Sequence, residues 1–151
     1  MGKSFRTVSW DEYTEAVGNL VRALSGSHFH SWPLVGIARG GLIPAVILSH
    51  GLDGQTVYPF GIQSYTEQTK GEEQVYDDPR SLPDKFILVD DILDSGGTLT
   101  SLDSLIKADC PWKWYVTAIV YDKAVSGIQP DFWGGYIDPE AWVVFPYEQS
   151  G

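Results

Sequence analysis

The stretch over residues 86–100, FILVDDILDSGGTLT, constrains the fold of this 151-residue chain more than any other. Its four apolar residues, 86–89, run directly into two adjacent carboxylates, Asp90 and Asp91. An uninterrupted apolar run is typical of a strand buried on both faces of a parallel sheet. After a short apolar step, Asp94 opens a turn with two glycines, and leucines at helical spacing follow. The stretch therefore predicts a strand, an acidic turn, a glycine loop and a helix.

This turn combines residue types that suit a phosphorylated sugar. In open α/β sheets, ligands bind beyond the carboxyl ends of the strands. The glycines and the helix start offer close backbone N–H groups to a phosphate, and the carboxylates suit vicinal hydroxyls or a hard cation. A solvated turn whose acidic or hydroxyl residue merely caps the helix is the alternative that spacing alone leaves open. The residues concerned are Asp90, Asp91, Asp94, Ser95, Gly96, Gly97 and Thr98.

Two further strands end in residues that could contact a ligand. Residues 34–38, LVGIA, run into Arg39 and a glycine pair, and an apolar helix follows. Such a turn can present backbone N–H groups to an anion, although it could also be an ordinary strand–helix connection. Residues 113–122, which alternate in polarity, predict a strand followed directly by Lys123. From sequence alone, a lysine directly after a strand is usually a solvated strand end.

The rest of the chain predicts scaffold, a loop and an aromatic tail. Ser9 and Glu12 have the spacing of a capping box that opens a helix, and residues 5–8 and 55–64 contain strand candidates. Residues 65–81 are polar and lack helical periodicity, as in a lid or a disordered segment. Residues 127–151 are rich in aromatic and turn residues, which indicate core or interface, or a surface for a flat base.

Composition narrows the class of protein further. A length of 151 residues fits one domain, and no apolar run is long enough to span a bilayer. A single cysteine permits a reducing compartment, and no signal region is present, so we expect a cytoplasmic protein without a membrane partner. The formal net charge of −10 disfavours a nucleic-acid partner bound through a basic face.

Residues 89–98, VDDILDSGGT, resemble the signature of the type I phosphoribosyltransferases, which use 5-phosphoribosyl 1-pyrophosphate. Ser95 stands where threonine is frequent in that family, which retains the hydroxyl. Residues 38–44, ARGGLIP, resemble the pyrophosphate-binding loop of purine phosphoribosyltransferases. Residues 120–127, VYDKAVSG, and 139–148, PEAWVVFPYE, are similar to segments of the xanthine–guanine and hypoxanthine enzymes. These segments occur in the family's order along nearly the whole chain.

The resemblance implies an α/β fold, a parallel sheet flanked by helices with a small C-terminal hood. The chain would be a single domain, with its core over about residues 1–126 and its hood over about 127–151. A mobile loop would follow the pair Ser64 and Tyr65 and close over the reacting centre, excluding water. The peptide bond between Ala38 and Arg39 would be cis, as it often is in relatives.

The resemblance further implies transfer of a phosphoribosyl group to a 6-oxopurine. Asp90 and Asp91 would hold the ribose hydroxyls, and Asp94 would take the proton from N7 of the base. Since clustered carboxylates would repel pyrophosphate, a divalent cation is needed, and Mg²⁺ would bind Asp91 or Asp90. Lys123 would donate to the exocyclic O6. The expected catalytic residues are Asp94, Asp90 and Asp91.

The remaining roles concern the phosphates and the base. Arg39 and Gly40, with the preceding Ala38, would meet pyrophosphate, and residues 94–98 would cradle the 5′-phosphate. Trp142 falls on the base-stacking position and Val143 on the position whose backbone reads the base edge; Trp133 is a second stacking candidate. The expected substrate-binding residues are Ala38, Arg39, Gly40, Ser64, Tyr65, Asp94, Ser95, Gly96, Gly97, Thr98, Lys123, Trp142, Val143 and Glu148, the last at a position where relatives often have aspartate.

Two other functions are compatible with the same fold. One is a non-catalytic regulator that senses nucleotides and binds RNA or DNA, which the acidic charge disfavours. The other is a phosphoribosyltransferase for adenine or orotate, which Lys123 and Trp142 disfavour. The expected partners are the purine base and phosphoribosyl pyrophosphate, and the exposed aromatics predict a homodimer or homotetramer.

Overall fold

The predicted strand at residues 86–89 forms the centre of a parallel sheet. The computed structural model of the chain describes residues 4–64, 73–75 and 77–148. Five strands of the main sheet are parallel, and a short sixth strand pairs antiparallel at one edge. In spatial order they are β4 (Glu73–Val75), β3 (Val57–Ser64), β2 (Leu34–Ala38), β5 (Lys85–Leu93), β6 (Trp114–Asp122) and β7 (Phe132–Tyr136).

Helices cover both faces of this sheet. Helices α1 (Trp10–Ser25) and α2 (Leu42–Gly51) pack on one face, and α3 (Gly97–Asp109) packs on the other. The capping box at the start of α1 is present: the Glu12 amide donates to the Ser9 hydroxyl at 3.1 Å, and the Glu12 carboxylate accepts from the Ser9 amide at 3.4 Å. The predicted fold class, a parallel sheet flanked by helices, is confirmed.

The side chains of the central strands divide between two hydrophobic cores. Along β6, Val116, Ala118 and Val120 pack with α1 and α2, whereas Ile119 and the ring of Tyr115 pack with α3. In β5 all four apolar residues 86–89 are fully buried, as expected for a strand with helices on both sides.

Strand β5 is longer than its apolar run predicted. It continues through Asp90 and Asp91 to Leu93, because β6 runs alongside it as far as Asp122. The acidic pair therefore lies within the strand, near its carboxyl end, and the turn begins at Asp94.

A second, two-stranded sheet forms the hood. β1 (Ser4–Thr7) pairs in parallel with β8 (Ala141–Val144), and a short 3₁₀ turn, Pro146–Glu148, follows. The two sheets do not divide at the expected boundary of residue 126. β1, from before this boundary, belongs to the hood, and β7, from after it, extends the main sheet. No helix in the described ranges is both long and apolar enough to cross a membrane.

Candidate active site

Three neighbouring parallel strands place their carboxyl ends side by side at one end of the sheet. Strand β2 ends at Ala38, β5 ends at Leu93, and Lys123 follows β6 directly. Because β5 lies between the other two, the segments that follow these strands surround one set of cavities. The first, the glycine-turn cavity, has a volume of about 440 Å³. Its wall includes Ala38, Gly40, Trp142, Asp90, Asp91 and every residue from Asp94 to Thr98.

The glycine turn of this cavity leads directly into α3. Gly96 adopts the left-handed conformation, with φ at +88°, and is the residue that precedes the helix. A Cβ there would lie 2.8 Å from the movable end of the Ile128 side chain, so the positive φ is the main reason that this turn favours glycine. Gly96 has no side chain to cap the helix, and the Gly97 amide donates to the Ser95 hydroxyl at 3.4 Å. The start of a helix is a common place for an anion to bind.

Lys123 and Asp94 form an ion pair in a second cavity. Lys123 is 9% exposed, and its ammonium donates to Asp94 Oδ2 at 3.1 Å and to the Ala141 carbonyl oxygen at 2.9 Å. This Lys123 cavity has a volume of about 230 Å³ and is also lined by Trp142, Val143 and Glu148. The predicted base-contacting residues are thus brought together, with a cation and a carboxylate side by side.

Asp91 lies where these cavities meet a third. The Arg39 cavity, of about 490 Å³, is lined by Arg39, Gly40, Ile43, Asp91, Tyr147 and Glu148. Asp91 lines all three cavities. The backbone of Gly40 packs so closely on the Asp91 carboxylate that a Cβ at Gly40 would collide with it.

Tyr147 is a site residue that sequence reasoning missed. Its hydroxyl donates a hydrogen bond to Asp91 Oδ2 at 2.9 Å. Burial, followed by the negative charge of Asp91, raises the pKa of Tyr147 well above its usual range, so the phenol stays protonated and remains a donor. In the sequence Tyr147 is one aromatic among many, and its contact depends on how the hood folds back onto β5.

Glu148 has its own partner in the same turn. Its Oε1 accepts a hydrogen bond from the Phe145 amide at 2.9 Å, which ties the carboxylate to the 3₁₀ turn between the Arg39 and Lys123 cavities. The peptide bond between Ala38 and Arg39 is cis, as predicted. Trp133 lines none of the three cavities; its ring lies 5.9 Å from that of Tyr136 on β7.

The expected loop contacts fall at the limit of the described chain. Ser64 is the last residue of β3, and its side chain lies outside the described part; Tyr65 and most of the predicted lid, residues 65–72 and 76, lie outside the described residues. The lid and the Ser64–Tyr65 contact remain predictions.

Asp90 and Asp91 supply the donors expected for Mg²⁺. Within residues 4–64, 73–75 and 77–148, no group of three or more His, Cys, Asp or Glu side chains could hold a metal by itself. Mg²⁺ commonly binds one or two carboxylates and completes its shell with water and substrate phosphates. Two adjacent carboxylates beside the glycine turn fit that mode of binding.

Comparisons with known proteins agree with this geometry. The family model of the phosphoribosyl transferase domain matches residues 9–146. A xanthine-guanine phosphoribosyltransferase of Cereibacter sphaeroides is 31% identical over 150 residues, 95% of this chain and 86% of that protein. A purine phosphoribosyltransferase from Pyrococcus horikoshii has a TM-score of 0.73 and 27% identity, covering 97% of this chain and 95% of its own.

A second solved structure shares the fold at lower identity. The xanthine-guanine-hypoxanthine phosphoribosyltransferase of Helicobacter pylori has a TM-score of 0.80 and 22% identity, over 95% of this chain and 94% of its own. The predicted family is confirmed by the match of its model over most of the chain. The chain is therefore a member of the phosphoribosyltransferase family.

Proposed function

We propose that this protein transfers the phosphoribosyl group of 5-phosphoribosyl 1-pyrophosphate to a 6-oxopurine in purine salvage. The products would be the nucleoside 5′-monophosphate and pyrophosphate. The similarity to a xanthine-guanine phosphoribosyltransferase, 31% identical over 95% of the chain, supports the purine class. The contact between Lys123 and Asp94 is the observation that carries the proposal.

That contact complements one edge of a 6-oxopurine. Guanine, xanthine and hypoxanthine present O6, an acceptor, next to N7. The ammonium of Lys123 can donate to O6 while Asp94, 3.1 Å away, accepts the proton of N7. Adenine would direct an N–H donor at a lysine, which cannot accept it. Trp142 on the wall of the same cavity supplies a ring face for stacking, and the Val143 backbone borders the base edge.

The other two cavities fit the phosphorylated sugar. The glycine turn before α3 would bind the 5′-phosphate, and Asp90 and Asp91 would accept hydrogen bonds from the ribose hydroxyls. Arg39 and the backbone of Gly40 would contact the pyrophosphate in the Arg39 cavity.

The reaction needs positioning and charge stabilisation more than covalent chemistry. As the bond from C1′ to the pyrophosphate oxygen breaks and the bond to the base nitrogen forms, the ribose acquires oxocarbenium character. Carboxylates next to the ribose stabilise that positive charge, and Asp94 receives the proton that N7 loses. Mg²⁺ held by Asp90 or Asp91 would offset the charge of the pyrophosphate.

The test is product formation from guanine, xanthine, hypoxanthine and adenine, each with phosphoribosyl pyrophosphate and Mg²⁺. We expect nucleotide from at least one 6-oxopurine, little from adenine, and loss of turnover when Mg²⁺ is chelated. Turnover with adenine alone would refute the proposed specificity. Binding of phosphoribosyl pyrophosphate without turnover of any base would favour the regulator instead.

We also propose that the protein is cytoplasmic and assembles as a homodimer or homotetramer. Its single cysteine, Cys110, is buried, and burial raises the pKa of its thiol, as suits an inert residue in a reducing compartment. Exposed apolar side chains such as Val46 on α2 support assembly. Cell fractionation and sedimentation velocity would test the two parts of this proposal.

A further inference from the structure

The hydrogen bond from Tyr147 to Asp91 joins the hood to the central strand of the sheet. We propose that Tyr147 is a positioning residue for Asp91, which it holds so that the carboxylate can bind the ribose of the phosphoribosyl substrate. The inference rests on the proposed function and adds to it a residue from outside the signature stretch. Within the described part of the chain, no other side chain donates a hydrogen bond to Asp91.

The ring of Tyr147 is fixed before any ligand binds. It stacks on Phe145 with ring centroids 5.3 Å apart and meets Tyr13 edge-on at 5.7 Å. Trp10 lies at 6.4 Å. Because Trp10 and Tyr13 belong to the first turns of α1, the hydroxyl of Tyr147 is held from both the helix and the C-terminal segment.

The Asp91 carboxylate is confined between Tyr147 and Gly40. Tyr147 donates to Oδ2, and the Gly40 backbone packs against the same oxygen. No described residue donates to Oδ1 of Asp91, so that oxygen is available to a ligand in the cavities that Asp91 lines. A carboxylate held in one rotamer binds a ligand with less loss of side-chain entropy than a free one.

Tyr13 provides a matched control in the same aromatic cluster. Its side chain is fully buried, and its hydroxyl makes no hydrogen bond to Asp91. Tyr13→Phe and Tyr147→Phe each remove one buried hydroxyl and retain the ring. Only the second change removes a contact with Asp91.

The experiment is calorimetric titration of each variant with phosphoribosyl pyrophosphate in the presence of Mg²⁺. Because a hydrogen bond to a charged group contributes more than one between neutral groups, Tyr147→Phe should raise the dissociation constant of phosphoribosyl pyrophosphate about tenfold. Tyr13→Phe should change that constant less than about twofold. In an Asp91→Asn background, Tyr147→Phe should add little further loss, because the positioned carboxylate is already gone. Urea denaturation of each variant establishes that it is folded.

Three outcomes would overturn the inference. They are an unchanged dissociation constant in folded Tyr147→Phe, an equal loss in Tyr13→Phe, and a full additional loss in the Asp91→Asn background. All three leave the proposed function intact, because the wild-type protein still binds the substrate. A wild-type protein that does not bind phosphoribosyl pyrophosphate would refute the proposed function and this inference together.

Discussion

Asp94 follows β5 and Lys123 follows β6, yet their side chains form a hydrogen-bonded ion pair. Lys123 is buried and pairs with Asp94 and with the carbonyl oxygen of Ala141, whereas the Asp94 side chain is 61% exposed. A buried ammonium held by two acceptors is oriented, and it can select an acceptor on a substrate by geometry as well as charge. The exposed carboxylate can receive a proton from the same base. In the proposed reaction, this one pair would select the base and also accept its proton.

Substitutions should separate these two roles. Asp94→Asn should lower turnover with every accepted base by about 10²-fold or more, with little change in affinity for phosphoribosyl pyrophosphate, because it removes a proton acceptor. Lys123→Ala should reduce the preference for 6-oxopurines over adenine by at least about tenfold, because it removes the donor to O6. Steady-state kinetics with each base give both values.

Each variant serves as the control for the other. An Asp94→Asn protein with full turnover would eliminate Asp94 as the base. Unchanged selectivity in Lys123→Ala would exclude Lys123 from base recognition. If both variants lost only stability, neither role would stand.

At the scale of the elements, a polar contact ties α3, which carries the glycine turn at its start, to β6. The Tyr115 hydroxyl of β6 donates to Asp103 Oδ1 of α3 at 2.5 Å, and Lys107 pairs with Asp103 Oδ2 at 2.7 Å. Burial alone would raise the pKa of Asp103, but the hydrogen bonds from Lys107 and Tyr115 outweigh it and lower that pKa below its ordinary value. The contact therefore stabilises the folded protein when Asp103 is ionised.

The pH dependence of this contribution follows from its sign. Because the pKa of Asp103 is lower in the folded state, the unfolded chain binds more protons near pH 4, and stability rises with pH there. Relative to wild type, Asp103→Asn should lose up to about 1 kcal/mol of unfolding free energy at neutral pH, a small value because the side chain is partly exposed. The difference should shrink as the pH falls through the folded pKa.

Urea denaturation between neutral pH and pH 3 would measure the difference in unfolding free energy between wild type and Asp103→Asn. Asp109→Asn is the control for removing one charge from α3. A difference between wild type and Asp103→Asn that is independent of pH would contradict the prediction.

The elements that could be predicted from sequence are those whose signal is local. A few consecutive residues are enough to predict three features: the buried run at residues 86–89, the glycine turn at Gly96 and the capping box at Ser9. β7 and β8 lie in an aromatic, turn-rich tail without alternation, and the pairing of β1 with β8 joins the two ends of the described chain. Such pairings depend on tertiary contacts that no short pattern encodes.

The same distinction separates the site residues. Asp90, Asp91 and Asp94 are close together because they are neighbours in sequence, and the family resemblance identified them. The Tyr147 contact spans 56 positions and exists only because the last turn packs against the start of α1. Residues of this kind become visible only in the folded chain.

At the scale of the whole molecule, α2 has an apolar face that the sheet does not cover. Its sequence, LIPAVILSHG, has no charged residue apart from a histidine, and the helix packs on β2, β5, β3 and α1. Val46 on its outer side remains 49% exposed. A helix that is apolar all round is normally buried on all sides, so a second copy of the chain is the partner that we expect on this face.

Val46→Glu should therefore shift the protein toward monomer. Placing an unpaired carboxylate in a subunit interface costs several kcal/mol, so the dissociation constant should rise by about 10²-fold or more. Val125→Glu is the matched control, because Val125 is 56% exposed in the loop after β6 and the substitution adds the same charge. Sedimentation velocity over a concentration series would measure both. A wild-type monomer at all concentrations, or equal dissociation in the two variants, would show that this face of α2 does not hold the assembly together.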